Sequence, residues 1–261
     1  MRIFALLILV QSAISLAGEV PKLSELSAQL APRASLPLSS KISLEIASNT
    51  SAELAERLAQ FKGVVVTAVA ENTVTITLIE RPHALAPVGE EFTRNSFVID
   101  FEEQSVIDFV DAFKSRQSEA TSWQDLPVYV SEFIDQPTYI HGFNIASVVA
   151  KDRSGDCTEY AVLTSALARA IGLPSRVVFG AVILENSDNL EAFGHAWTEI
   201  WQDGSWHVAD AALVDAEGVK KFYLPTGVLD NEGPGYAMSL IGAVRFLPAE
   251  IRNIKSIVDD H

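Results

Sequence analysis

The sequence predicts an α+β fold, on three observations. Residues 41–79 carry alternating apolar positions around one helical segment, residues 104–134 change to helical spacing, and strand patterns return past residue 175 after one further helix. The change near residue 103 divides the chain into a smaller N-terminal α+β module, residues 18–103, and a second domain, residues 104–261.

The first residues, M-R-I-F-A-L-L-I-L-V-Q-S-A-I-S-L-A-G-E, follow the plan of a secretory signal. Arg2 supplies the positive start, Ile3 to Val10 an apolar run, and Ser15-Leu16-Ala17 a small-x-small cleavage site. Residues 1–17 are therefore expected to be removed near Ala17, leaving an exported chain, periplasmic or secreted, that begins near Gly18. The apolar run is far shorter than the ~20 residues that a membrane span needs, and no later segment comes close. No membrane span is expected.

Residues 18–40, rich in Ser, Ala, Leu and Pro, form a lead-in without a defined element. K-I-S-L-E-I-A at 41–47 alternates as a strand, and S-A-E-L-A-E-R-L-A-Q-F at 51–61 has helical spacing with Ser51 as its cap. V-V-V-T-A-V-A-E-N-T-V-T-I-T-L at 64–78 reads as two strands around Glu71-Asn72. R-P-H-A-L-A-P-V-G-E-E at 81–91 reads as a loop with His83 on its surface, and Phe97 to Phe101 as one more strand. S-V-I-D-F-V-D-A-F-K and L-P-V-Y-V-S-E-F-I then have the i, i+3, i+4 spacing of helices.

The net charge of −15 argues against nucleic acid as a partner, because phosphate binding needs a basic surface. The chain has one cysteine, Cys157, so no internal disulfide is possible. In R-S-G-D-C-T-E-Y-A-V-L-T-S-A-L-A-R-A-I-G-L-P-S-R, residues Tyr160, Leu163, Leu167 and Ile171 share one helical face, Gly172 suits the C-terminal cap and Pro174 stands just beyond. A helix is expected from Cys157 to Ile171, with Ser154 or Asp156 as its cap. The cysteine thus occupies the first turn, where unpaired N–H groups and the helix dipole favour a thiolate.

R-V-V-F-G-A-V-I follows as a buried strand, and F-G-H-A-W-T-E-I-W-Q-D-G-S-W-H-V-A-D-A-A as two strands joined at Asp203-Gly204, a type I′ hairpin signal. A two-residue turn pairs Gln202 with Ser205, Trp201 with Trp206 and Glu199 with Val208. Continued, the register sets Trp197 opposite Asp210 and His195 opposite Ala212. Side-chain alternation then puts His195, Trp197 and Asp210 on one face, with His195 and Asp210 as diagonal neighbours and His207 on the other face. A thiol, an imidazole and a carboxylate in this order supply a nucleophile, a base and a group that fixes the base's tautomer.

These residues resemble the transglutaminase-like cysteine enzymes, in particular their exported bacterial members. The likeness lies in 153–178, in F-G-H-A-W-T-E-I-W at 193–201 and in G-S-W-H-V-A-D-A at 204–211. It implies a papain-like core over roughly 104–215, with the cysteine helix packed on an antiparallel sheet. It also implies Cys157 as nucleophile, His195 as base and Asp210 as orienting acid. The family usually has a bulkier apolar residue before the acid, where Ala209 stands here. In the matching motifs, Gly155 and Asp156 flank the nucleophile, and Arg176 and Glu199 are expected as a buried pair. Trp197 is expected to wall the acyl site. The backbone N–H of Cys157 is the expected oxyanion donor, with Asn144 as the side-chain candidate.

The expected activity is thiol-dependent acyl transfer on peptide or carboxamide bonds, with a protein or peptide substrate and no cofactor or metal. A metal site at Cys157, His195 and Asp210 would lack the close-spaced ligand pairs of most zinc sites. The alternative is a non-catalytic extracytoplasmic binding module on the same fold. D-N-E-G-P-G-Y at 230–236 and E-N-S-D-N-L-E at 185–191 fit no calcium-loop spacing and read as loops.

Overall fold

The structure, a computed structural model, describes residues 23, 26–31, 36–116, 121–138, 143–187, 189–214 and 218–258. The expected signal segment, residues 1–17, lies outside the described residues. Among the described residues no helix is long and apolar enough to cross a membrane.

The chain builds an α+β arrangement of helices over a four-stranded sheet, with a five-stranded sheet on that sheet's other face. The N-terminal half contributes strands β1 (Gln29–Ala31), β2 (Lys41–Ala47), β3 (Phe61–Ala70) and β4 (Thr73–Ala84), with helix α1 (Ser51–Leu58) between β2 and β3. In β2 the alternation is realised: Ile42, Leu44 and Ile46 are buried and their neighbours are not. Helix α1 buries Leu54 and Leu58, but Ser51 is not its cap. The residue at that position is Thr50, and the Ser51 hydroxyl instead donates to Ala70 O at 2.7 Å and Glu71 O at 3.0 Å, carbonyls of the β3–β4 turn.

Two further expectations are corrected. Strand β4 runs through Pro82 to Ala84, where a loop was expected, because the ladder shifts register between Lys62 and Val64 and spares the missing proline N–H. Gly63 occupies that shift with φ +94°, and a Cβ there would meet Ile79 and Pro82. Residues 97–101 form no strand; Val98 and Ile99 are buried, but their amides pair with Glu232 O and Ser96 Oγ rather than with a ladder.

Helices α2 (Gln104–Arg116), α3 (Asp125–Phe133), α4 (Ala146–Asp152) and α5 (Cys157–Ala170) follow. Strands β5 (Gln136–Pro137) and β6 (Ser154–Gly155) form a short parallel pair just before α5. The C-terminal part supplies β7 (Ser175–Asn186), β8 (Asn189–Gln202), β9 (Ser205–Ala209), β10 (Lys220–Val228), α6 (Ala237–Val244) and β11 (Glu250–Ser256). The four-stranded sheet has the order β10-β7-β8-β9, all antiparallel. Residues 185–191, expected as a loop, lie mostly in β7 and β8, whose ladder extends to the pair Asn186 and Asn189.

Helices and five-stranded sheet cover opposite faces of β7, which explains its unbroken apolar run. Val177 and Phe179 join the core under the helices, whereas Val178 and Val182 join the core between the sheets. The five-stranded sheet has the order β1-β11-β2-β4-β3. Its strand β11 comes from the C-terminus and lies antiparallel to β2, so this sheet is not contained within residues 18–103. The change of pattern near residue 103 marks a turn from strands to helices along the chain, while the inter-sheet core draws on both halves.

Ile251 on β11 and Ile76 on β4 are both fully buried in that core. Each, changed to Ala, is expected to lower unfolding free energy by ~2–4 kcal/mol. Denaturant titration of the full chain checks this; an Ile251→Ala cost under about 0.5 kcal/mol would show that the C-terminal strand is peripheral.

Candidate active site

Helix α5 begins at Cys157 because the residues before it satisfy its free N–H groups. Asp156 is the cap: its Oδ1 accepts from Thr158 N at 3.0 Å and from Thr158 Oγ1 at 2.9 Å. Glu159 completes a capping box by accepting from Asp156 N at 2.9 Å through Oε2. Gly155 has φ +152°, and a Cβ on it would lie 2.2 Å from the Glu159 Cβ, so the glycine makes room for the glutamate. At the far end the chain turns at Gly172, φ +87°, as expected.

Cys157 is buried, with 6% of its surface exposed. Burial pushes its thiol well above the ordinary range, and the charges of Asp156, Asp210 and Glu159 push the same way. The Ala196 backbone amide, hydrogen-bonded to the sulfur, pulls in the opposite direction without prevailing. The sequence expectation of a thiolate favoured by the helix start is therefore reversed in the resting protein: desolvation and neighbouring carboxylates outweigh the dipole.

His195 stands next to Ala196 on β8. Its Nε2 lies 2.9 Å from Asp210 Oδ2, which leaves Nδ1 as the ring nitrogen not engaged by the aspartate. The hairpin has the anticipated two-residue turn, with Asp203 at φ 54° and Gly204 at φ 83°. Gln202–Ser205, Trp201–Trp206 and Glu199–Val208 pair as the turn requires. The ladder then stops at Thr198–Ala209, so the expected pairs Trp197–Asp210 and His195–Ala212 do not form. Asp210 leaves the strand because its own Oδ1 closes a turn, accepting from Ala212 N at 3.0 Å and Leu213 N at 3.2 Å. The other oxygen, Oδ2, remains for His195. Burial alone would raise the Asp210 carboxyl, but the His195 charge and the hydrogen bonds from His195 and Tyr223 lower it below its ordinary value. His207 is elsewhere, bonded to Ser205 Oγ and Gln202 O at the turn and stacked on Trp123.

Sequence reasoning missed Tyr223 and Glu159 as site residues. Tyr223, on β10, donates its hydroxyl to Asp210 Oδ2 at 2.8 Å and packs 5.1 Å from the Trp197 ring. Nothing in the local pattern signals it, since β10 lies two strands from β8 in the sheet order. Glu159 was legible as the second half of the D-x-x-E capping box. It is fully buried and accepts from Asp156 N, Thr158 Oγ1 and, through Oε1 at 2.8 Å, from Asn144 N. Asn144 thus reaches the start of α5 by its backbone N–H.

The remaining predicted residues gather between the two sheets. Arg176 and Glu199 are cross-strand partners, with Nη2 to Oε2 at 2.8 Å and Nε to Oε2 at 2.9 Å, and the same oxygen accepts from Ala84 N of β4. Trp197 is buried in the inter-sheet core, its ring 6.3 Å from that of His195 and nearly parallel to it. Among the described residues no group of three His, Cys, Asp or Glu side chains is arranged to hold a metal.

The family model of the transglutaminase-like superfamily matches residues 109–211, the span that holds Cys157, His195 and Asp210. Residues 109–211 belong to the transglutaminase-like superfamily. Three solved structures are similar to this chain. A candidate cysteine protease from Cytophaga hutchinsonii is 15% identical, with TM-score 0.42 over 71% of this chain and 76% of that one. The periplasmic domain of TgpA from Pseudomonas aeruginosa, bound to ethylmercury, is 19% identical, with TM-score 0.38 over 54% of this chain and 55% of that one. A structure described as a TGase is 14% identical, with TM-score 0.33 over 66% of this chain and 49% of that one. No curated protein matches the chain.

Burial, first, and the nearby Asp156 charge raise the Glu159 carboxyl from the ordinary 4.5 to about 7. A carboxyl raised on folding favours the native state while protonated, so its contribution is fully present below the unfolded value and is lost as pH rises through about 7. Glu159→Gln is expected to remove that slope: variant and wild type should diverge in thermal midpoint between about pH 4.5 and 7, with the variant relatively more stable at the upper end. Parallel melting curves across this range check it; identical slopes would refute it.

Proposed function

We propose that the protein is a cysteine-dependent acyl-transfer enzyme acting on peptide or carboxamide bonds of a protein or peptide substrate. The observation that carries the reading is the fourfold tethering of Asp210, which holds His195 by Nε2 beside the strand residue whose amide meets the Cys157 sulfur. His195 Nδ1 accepts the thiol proton, and the sulfur attacks the carbonyl carbon as the carbonyl electrons move to oxygen. The Cys157 backbone N–H, at the helix start, supports that oxyanion. Collapse of the intermediate expels an amine or ammonia, which takes the proton from His195. Water or an acceptor amine then releases the acyl group from sulfur.

Because burial holds Cys157 as a thiol, the nucleophile is made by proton transfer within the site rather than resting as a thiolate. The same burial favours a second reading, an inert cysteine in a binding module. The two part on experiment. Cys157→Ala and Asp210→Asn should each abolish turnover of an amidated-peptide pool, with a loss of at least about 10³-fold and little change in thermal midpoint for Cys157→Ala. Retention of wild-type turnover by Cys157→Ala would defeat the catalytic reading.

Export through the segment 1–17 belongs to the same proposal, supported by Arg2, the Ile3–Val10 run and the Ser15-Leu16-Ala17 site. Intact mass of protein recovered from an exporting host should correspond to a chain starting at Gly18. Recovery of full-length chain with Met1 retained would contradict it.

A further inference from the structure

The peptide that joins Phe143 to Asn144 is held from both sides. Its carbonyl, on Phe143, accepts from Tyr236 Oη at 2.8 Å, and its N–H, on Asn144, donates to Glu159 Oε1 at 2.8 Å. Phe143 itself has φ 153°, a strained conformation that side chains rarely adopt. Its ring is wedged edge-on against Phe179 and Tyr236, with centroids at 5.8 and 4.9 Å.

Helix capping alone does not account for Glu159. A capping box needs one oxygen and works at the surface. Here one oxygen, Oε2, serves the cap, and the second is committed to Asn144, with the whole side chain at 0% exposure. Burying a carboxylate is unfavourable, and the chain adds a glycine at 155 with φ +152° to make the space. Three costs thus converge on one carboxyl group: a buried acid, a strained phenylalanine and a glycine where no side chain fits. What they accomplish together is to bring the Asn144 amide and the Asp156 amide onto the two oxygens of one carboxyl, one residue before Cys157.

We propose that Glu159 is a positioning residue of the acyl-transfer site, which together with Tyr236 locks the Phe143–Asn144 peptide against the start of the cysteine helix so that Asn144 forms the wall of the site upstream of Cys157. The functional meaning of this lock rests on Cys157 as the nucleophile; the lock itself does not.

The test separates the two. In the full chain, Glu159→Gln keeps the size of the side chain but offers one accepting oxygen for two N–H donors, and Tyr236→Phe removes the opposite tether without touching the helix cap. Amide hydrogen exchange at Asn144 should rise by about tenfold or more in both variants, while Leu163 and Leu167 in the middle of α5 keep their protection. Turnover of the amidated-peptide pool should fall in kcat by about tenfold or more with KM little changed, as a displaced wall predicts. Unchanged exchange at Asn144 in either variant overturns the lock. Loss of protection along all of α5 in both variants also overturns it, leaving Glu159 as a structural cap. Wild-type protein that turns over no amidated peptide, with the exchange pattern as expected, leaves the lock standing and removes the acyl-transfer reading instead.

Discussion

The seam between helix α5 and strand β8 is the constraint on which the site depends. Thr198 Oγ1 donates to Ala161 O at 2.7 Å, and Ala196, a methyl side chain, faces the helix beside it. Small residues at alternate positions let the helix backbone settle close to the strand, and the hydroxyl that would otherwise be buried unpaired finds a carbonyl of the helix. This closeness brings the Ala196 amide to the sulfur. Once it is set, the place of His195, one residue earlier on the same strand, is set with it.

The same strand satisfies a second requirement with its other face. Trp197 and Val208 fill the core against the five-stranded sheet, and Glu199 reaches Arg176 and the β4 backbone. A buried arginine–glutamate pair is no large source of stability in itself, since desolvation offsets much of the attraction. Its consequence is geometric: it registers β7 against β8 and both against β4, so that the strand carrying His195 is held from two layers. The bidentate Arg169–Glu232 pair acts similarly at the far end of α5, tying the helix to the loop after β10.

Electrostatics in the site run against the simplest account of a reactive cysteine. A helix N-terminus lowers a thiol's proton affinity when the sulfur is solvated or meets a cation. Here the sulfur is desolvated, and Asp156, Asp210 and Glu159 surround it with negative charge. Each of those acids is fixed in place by a separate structural role, since Asp156 and Glu159 build the helix start and Asp210 holds His195. Together with burial, the arrangement favours the protonated thiol over a standing thiolate.

Short-range signals decided much of this protein. The Asp203-Gly204 turn requires positive φ at both residues, and that alone set the hairpin register through Glu199–Val208. Periodicity and the Gly172-Pro174 stop delimited α5, because helix spacing and caps are properties of adjacent residues. Arg176 and Glu199 were expected as a pair through the family resemblance, and the β7–β8 register that sets them opposite one another came with the structure. What the sequence did not determine is what comes from distant chain or from burial. Tyr223 reaches Asp210 from a strand with no local mark, β11 returns from the C-terminus to the N-terminal sheet, and Trp197 turns out to serve the inter-sheet core. The ladder ends at Ala209 because the Asp210 carboxylate closes a turn, a competition that pairing rules cannot foresee. Thiol protonation was misjudged for a similar reason: a helix start is visible in residue types, but desolvation is created only when the second layer closes over the site.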